Sequence, residues 1–224
     1  MIYPKVSANM IVGSNREPYL KQCIESIYDC VDEIIVVANT NNQNSDVLES
    51  YSKIKVYYRV FVDFCSARNT ALSLTSPDME YILWVDADEV HFPSKLAEFI
   101  SASNGYDIGV AAFYHFIKDF KHYQSIDERY ILLRKGIFTW TSKVDEYPLF
   151  AMQPKAYVSE YKYHHYGYTK PQRELWNGWM ERAKLLGDNS PWFKDDDPDT
   201  ILDSRIVIDY KGEYPIQMKG HINV

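Results

Sequence analysis

Ile34-Ile35-Val36-Val37 is an unbroken run of β-branched apolar residues, and it constrains the fold more than any other stretch of the chain. A strand with one wet face alternates apolar and polar residues, whereas a run without a polar member has both faces covered. Helices crossing over a parallel sheet provide that cover. The flanking sequence supplies the crossovers. Residues 5–12 read as a strand broken by Gly13-Ser14-Asn15, and Pro18 suits the first turn of a helix in which Leu20, Ile24, Ile27 and Tyr28 share a face. After the β-branched run comes a polar loop, 39–45, whose last residues can cap a helix carrying Val47, Leu48 and Tyr51. Residues 55–60 form a third strand and 67–74 a short helix. Tyr81-Ile82-Leu83-Trp84-Val85 is a fourth strand stopped by Asp86, and Ser94 caps a helix running to about Ser101. Ligands of such sheets bind at the carboxyl ends of the strands, here 13–15, 39–45, 63–68 and 86–89, all of them polar.

The second half is mixed. Residues 108–117 and 128–133 are strand-like, Phe138-Thr139-Trp140 is a short strand, and Trp176, Met180, Ala183 and Leu186 mark a helix after Pro171. Residues 195–199 read as an acidic loop. No repeat or linker divides the chain, so residues 1–224 are expected to form one α/β domain, with a ligand-binding half to about residue 100 and a mixed half from about 101.

Composition closes off other classes. With 46% hydrophobic and 25% charged residues the chain has a core to bury and is not disordered. The longest charge-free stretch, between Glu33 and Asp46, is half amides and hydroxyls, so no bilayer-spanning helix is predicted. A net charge of −7 argues against a nucleic-acid partner, but not against a phosphate-bearing small molecule carried by a metal. Three cysteines without a Cys-x-x-Cys, and no signal peptide at the start, place the chain among cytoplasmic proteins, with a peripheral position at a membrane surface left open. The 19 tyrosines offer platforms for sugar or base, although core and surface filling accounts for most of them.

Asp86-Ala87-Asp88-Glu89 is the sharpest chemical signal. In extended chain Asp86 and Asp88 point to one side, and adjacent carboxylates near a core need a cation. Mg²⁺ or Mn²⁺ shared with the oxygens of a diphosphate fits that need, and an acidic exit from a strand is the alternative.

Ordered segments around this motif resemble glycosyltransferase family 2, of the GT-A fold. They are Val6-Ser7-Ala8-Asn9-Met10-Ile11-Val12, Asn15-Arg16-Glu17-Pro18-Tyr19-Leu20, Asp32-Glu33-Ile34-Ile35-Val36-Val37, Phe64-Cys65-Ser66-Ala67-Arg68-Asn69-Thr70-Ala71-Leu72, and the strand ending in Asp86-Ala87-Asp88-Glu89. The resemblance implies a Rossmann-like, mainly parallel sheet and a nucleotide-sugar site formed by Ala8, Asn9, Asn39, Arg68, Asp86 and Ala87. Asn39 stands where members often carry Asp, which leaves either a direct nucleoside contact or a loop of solvated amides. Arg68 would lie against the diphosphate, or else pair with Asp63 or Asp86. Trp140-Thr141-Ser142-Lys143-Val144-Asp145-Glu146 resembles a Trp-x-x-x-Val-His-Glu segment, which makes Glu146 the first candidate for catalytic base and Asp145 the second. Tyr161-Lys162-Tyr163-His164-His165-Tyr166-Gly167-Tyr168 resembles a later segment and maps His165 to a metal ligand beside Asp88, with Asp86 acting through water.

The resemblance thus implies a hexosyltransferase-like, metal-dependent, inverting enzyme. It would move sugar from a nucleoside diphosphate sugar to a hydroxyl of a glycan, lipid-linked or small-molecule acceptor. A non-catalytic nucleotide-sugar- or glycan-binding domain and a sugar nucleotidyltransferase are the alternatives.

Overall fold

The computed structural model describes residues 3–188, 191 and 193–222. In chain order it contains β1 (Val6–Val12), α1 (Leu20–Ile27), β2 (Glu33–Asn39), α2 (Ser45–Leu48), β3 (Ile54–Arg59), α3 (Phe64–Leu74), β4 (Tyr81–Trp84), β5 (Glu89–Val90) and α4 (Pro93–Ala102). There follow β6 (Ile108–Ile117), β7 (His122–Arg134), β8 (Phe138–Thr141), β9 (Tyr147–Phe150), β10 (Ala156–Tyr168), α5 (Gln172–Leu185) and β11 (Ile208–Asp209). A nine-stranded sheet runs β3-β2-β1-β4-β7-β6-β10-β5, with β11 on β7. Its front, β3 to β4, is parallel. Beyond β4 the pairings are mixed, with β7 antiparallel to β4 and β6 and with β10 parallel to β6.

The β-branched run sits where its composition requires. Ile34 and Val36 pack with Leu20, Ile24 and Leu96 on one face, while Ile35 and Val37 pack with Ala71 of α3 on the other. Both faces are dry, and every residue of β2 before Asn39 is buried.

Several boundaries differ from the sequence reading. Pro18 lies in the turn before α1 rather than within it, and α4 opens on Pro93 rather than on a Ser94 cap. Helix α2 is only one turn long, and Asn44 at its N-cap position makes no side-chain cap. The Asn44 side chain instead ties two loops, accepting from the Glu17 amide at 2.8 Å and donating to the Asn15 carbonyl at 2.9 Å. Helix α3 starts at Phe64 because the Asp63 carboxylate accepts from the Ser66 amide at 2.6 Å. Strand β7 begins at His122, six residues before the predicted strand at 128. Strands β5, β9, β10 and β11 had no counterpart among the predicted elements. The aromatic and histidine alternation of β10 hides a 13-residue strand whose inner face is aromatic rather than aliphatic.

Candidate active site

The acidic segment after β4 is not extended. The Glu89 amide donates to the Asp86 carbonyl at 3.1 Å, and the Asp86 amide donates to Glu89 Oε2 at 2.9 Å, so residues 86–89 close a turn. The expected convergence of Asp86 and Asp88 assumed extended backbone, and the turn instead sends the two carboxylates to different partners.

Asp86 is held by two guanidiniums. Arg68 Nη2 donates to its Oδ1, and Arg129 Nη1 donates to its Oδ2 at 2.8 Å. Burial alone would raise its pKa, but Arg68 and Arg129 outweigh that and hold the carboxyl well below the usual range. Trp84 serves both cations, lying 5.4 Å from the Arg68 guanidinium and 4.3 Å from that of Arg129. Arg129 also reaches Glu89 at 2.6 Å, and burial still pushes that carboxyl up to about 8.

Arg68, 1% exposed, is the hub. Its Nε donates to Glu146 Oε1 at 2.9 Å, and its Nη1 donates to the carbonyls of Asn9 and Val85 at 3.3 and 3.2 Å. Of the alternatives left open by the sequence, its ionic partner in the fold is Asp86 rather than Asp63. Helix α3 holds Arg68 in place because Asn69 brackets the Trp140 backbone, donating to its carbonyl and accepting from its amide, each at 3.0 Å. The same contact carries β8 and the loop of Glu146 to the site.

Asp88 faces the other way. Lys170 Nζ donates to its Oδ2 at 2.8 Å and to Glu17 Oε2 at 2.5 Å, and His165 Nε2 lies 3.4 Å from its Oδ1. Burial opposes ionisation of Asp88, yet Lys170 and His165 bring its carboxyl down to about 2. Burial, with the Asp88 charge added, pushes Glu17 up to about 7. Gly167 keeps this corner open. A Cβ there would sit 2.8 Å from His165 Nε2 and 2.9 Å from Asp88 Oδ2, which is why Tyr166 and Tyr168 flank a glycine.

The fold therefore sets two ionic groups at the ends of β1 and β4, Glu146, Arg68, Asp86, Arg129 and Glu89 in one and Glu17, Lys170 and Asp88, with His165 beside it, in the other, joined only through the backbone at Ala87. Other expected residues lie apart. Ala8 and Asn9 are mid-strand and buried, and the Asn9 amide is spent on Thr75 Oγ1 at 3.1 Å and on accepting from Ser7 Oγ at 3.0 Å. Their side chains thus do not reach the open rim, and Asn9 meets the site only through its carbonyl. Asn39 closes β2 beside a cleft of about 130 Å³ lined also by Arg59, Phe61 and Ser66. Asp145 is exposed with φ at +53°, a left-handed conformation that Asp tolerates.

Sequence reasoning missed Arg129, Lys170 and the Glu17 carboxylate. A charged residue two positions before the buried Ile131 on one strand was the available signal for Arg129; Lys170 had none. Among the described residues no cluster of three or more His, Cys, Asp or Glu side chains is arranged to hold a metal. At the strand ends Asp88 Oδ1 and His165 Nε2 lie 3.4 Å apart.

A parallel front sheet covered on both faces, with an acidic turn at the end of its fourth strand, defines a GT-A fold. The sequence model of glycosyl transferase family 2 matches residues 10–162, more than half of the chain, and the chain belongs to that family. It is thus a glycosyltransferase-family protein built for a nucleotide-sugar donor and an acceptor. No curated protein sequence matches the chain significantly. Similar solved structures include 4-diphosphocytidyl-2C-methyl-D-erythritol synthase from Anaerococcus prevotii, with 16% identity over 90% of this chain and 84% of that one and a TM-score of 0.43. TarS 1-349 of S. aureus has 15% identity over 81% of this chain and 65% of that one, TM-score 0.47. A manganese complex of Rv0371c from Mycobacterium tuberculosis has 14% identity over 49% and 65%, TM-score 0.38.

Proposed function

We propose that the protein is a metal-dependent, inverting glycosyltransferase that moves a sugar, in the manner of a hexosyltransferase, from a nucleoside diphosphate sugar to an acceptor hydroxyl. The observation that carries this reading is a pair of ionic groups at the carboxyl ends of parallel strands, Glu146 fixed by Arg68 beside Asp86 on one side of the 86–89 turn and Asp88 beside His165 on the other. In this reading the base and ribose of the donor occupy the cleft beside Asn39 and Arg59, and the diphosphate runs along Ala87 toward Asp88. Glu146 takes the proton of the attacking hydroxyl, with the Arg68 ion pair fixing its carboxylate. Asp145, exposed, serves at most the acceptor.

Asp88 Oδ1 and His165 Nε2 are the donors that would hold Mn²⁺ or Mg²⁺. Their 3.4 Å separation is one that two ligands of a single metal, each about 2.1 Å from it, adopt. Gly167 preserves the space between them. Both oxygens of Asp86 are occupied by guanidiniums, so its part is to orient the turn. Bound there, the cation would supply Lewis acidity and offset the charge of the leaving diphosphate. A cytoplasmic setting accords with Cys23, Cys30 and Cys65, none joined in a disulfide. Among the described residues no helix is long and apolar enough to cross a membrane.

Thermal-shift titration with nucleoside diphosphates and their sugars, with and without Mn²⁺, tests the reading, since a ligand of the native state raises the melting temperature with its affinity. Asp88→Ala is expected to remove the Mn²⁺-dependent part of the shift. Equal Mn²⁺-dependent shifts in variant and wild type would overturn the metal assignment. Donor binding without transfer to any hydroxyl acceptor would favour the non-catalytic reading.

A further inference from the structure

Lys170 is the buried cation that nothing above uses. It sits between the end of β10 and the start of α5, in a connection pinned by the Thr169 amide to the Tyr166 carbonyl at 3.0 Å and by Thr169 Oγ1 to Tyr19 Oη at 2.6 Å. Its side chain is 17% exposed and its ammonium bridges Glu17 and Asp88, which lie on loops from different strands. A lysine held by two carboxylates is an ordinary structural pair in most settings. Here one of the two is the sole carboxylate in the corner with an oxygen facing an imidazole nitrogen, so the ammonium stands on the group a divalent cation would use. A second cation beside Nζ would be repelled by it across one small carboxylate in a poorly hydrated corner. The His165 Nδ1 atom is buried without a hydrogen-bond partner, so no hydrogen bond from that side holds the imidazole to its present place.

We propose that Lys170 competes with the divalent cation for the Asp88 carboxylate, so that the metal binds weakly alone and tightly only together with a diphosphate. This rests on the assignment of Asp88 and His165 as the metal-holding pair. The diphosphate resolves the conflict because its oxygens give the displaced ammonium new anionic partners, and a lysine stem can swing to reach them. The protein thereby couples metal and donor: neither gains the full affinity of the site without the other.

The test is Mn²⁺ binding followed by electron paramagnetic resonance, with the metal alone and again with saturating uridine or guanosine diphosphate. Wild type is expected to bind Mn²⁺ at least tenfold more tightly with the diphosphate than without. In Lys170→Gln the affinity for the metal alone rises at least tenfold and the dependence on diphosphate shrinks. The double variant Glu17→Gln/Lys170→Gln, which leaves no unpaired Glu17 carboxylate, behaves the same and decides the matter if the single variant does not fold. In wild type, amine acylation at Lys170 read by mass spectrometry rises when Mn²⁺ alone is added to saturation. If Mn²⁺ binding is lost in Asp88→Asn but is unchanged by removal of Lys170, the competition is refuted while the metal site stands. If Asp88→Asn leaves Mn²⁺ binding unaltered, the metal assignment fails and the competition with it.

Discussion

Glu146 and Asp145 are neighbours in sequence and opposites in setting. The Glu146 side chain is 9% exposed and fixed by Arg68, whereas Asp145 is exposed on a left-handed turn between β8 and β9. Glu146→Gln keeps the volume and a bond to Arg68 but cannot take a proton. Its kcat is expected to fall by about 10²–10⁴-fold with donor affinity retained, measured by steady-state transfer and by donor titration. Asp145→Asn is expected to leave kcat within a few-fold. Reversal of these two results would exchange the roles. Which of the two faced inward was undecidable from sequence, because a change of one backbone torsion pair in a turn redirects a side chain at no cost to local pattern.

Strand β10 shows how an element can be hidden and still carry the site. Its residues alternate between aromatic and polar. The inner ones, Tyr161 and Tyr163, pack around His91, stacked 4.4 Å from Tyr163, and extend the core that aliphatic residues build elsewhere. At its far end His165 and Gly167 form the corner with Asp88. Gly167→Ala would place a Cβ 2.6 Å from His165 Cε1, so the ring or the Asp88 carboxylate must move. We expect a stability loss of about 1–3 kcal/mol, typical of overpacking, together with loss of Mn²⁺-dependent nucleotide binding. A melting curve paired with a nucleotide titration checks both, and undiminished Mn²⁺-dependent binding would show that the corner tolerates the methyl group.

Across the whole molecule, buried ionisable groups pull stability in opposite directions with pH. Burial, with Arg129 and His164 adding repulsion, lowers His91 to about 3, and burial, with Lys95 adding, lowers His164 to about 3. Unfolded, both titrate near 6.5, so between about pH 6.5 and 3 the unfolded chain binds protons that the fold refuses. Their contribution is complete above about pH 6.5 and is lost as pH falls toward 3. Glu17 and Glu89, raised to about 7 and about 8, act in the opposite sense, losing stability as pH rises through those values. A single variant separates the two effects. His164 accepts or donates at both ring nitrogens, to Tyr166 Oη at 2.7 Å and Tyr210 Oη at 2.8 Å, so His164→Gln is destabilising at neutral pH. That deficit is expected to be about 2 kcal/mol smaller at pH 5 than at pH 7.5, read by urea unfolding. A deficit independent of pH would mean that His164 takes up a proton as readily in the fold as in the unfolded chain.

The sequence by itself determined the parallel front of the sheet, the order of its strands and helices, the polar loops at their carboxyl ends and the acidic residues after β4. These follow from spacing, and spacing is local: β-branched runs, helical recurrence and turn residues act within a few positions. Strand 108–117 was legible to the residue for the same reason. Tertiary structure alone decided which charges meet. Arg129 reaches Asp86 from 43 positions away, Lys170 reaches Asp88 from 82 and Glu17 from 153, and no periodicity links such pairs. It also decided that residues 86–89 turn rather than extend, since Arg129 draws Asp86 and Glu89 onto one guanidinium while Lys170 holds Asp88 on the other side. The sequence shows that a group of acids lies at the strand end; only the fold supplies the cations that let Asp86 and Asp88 remain charged there.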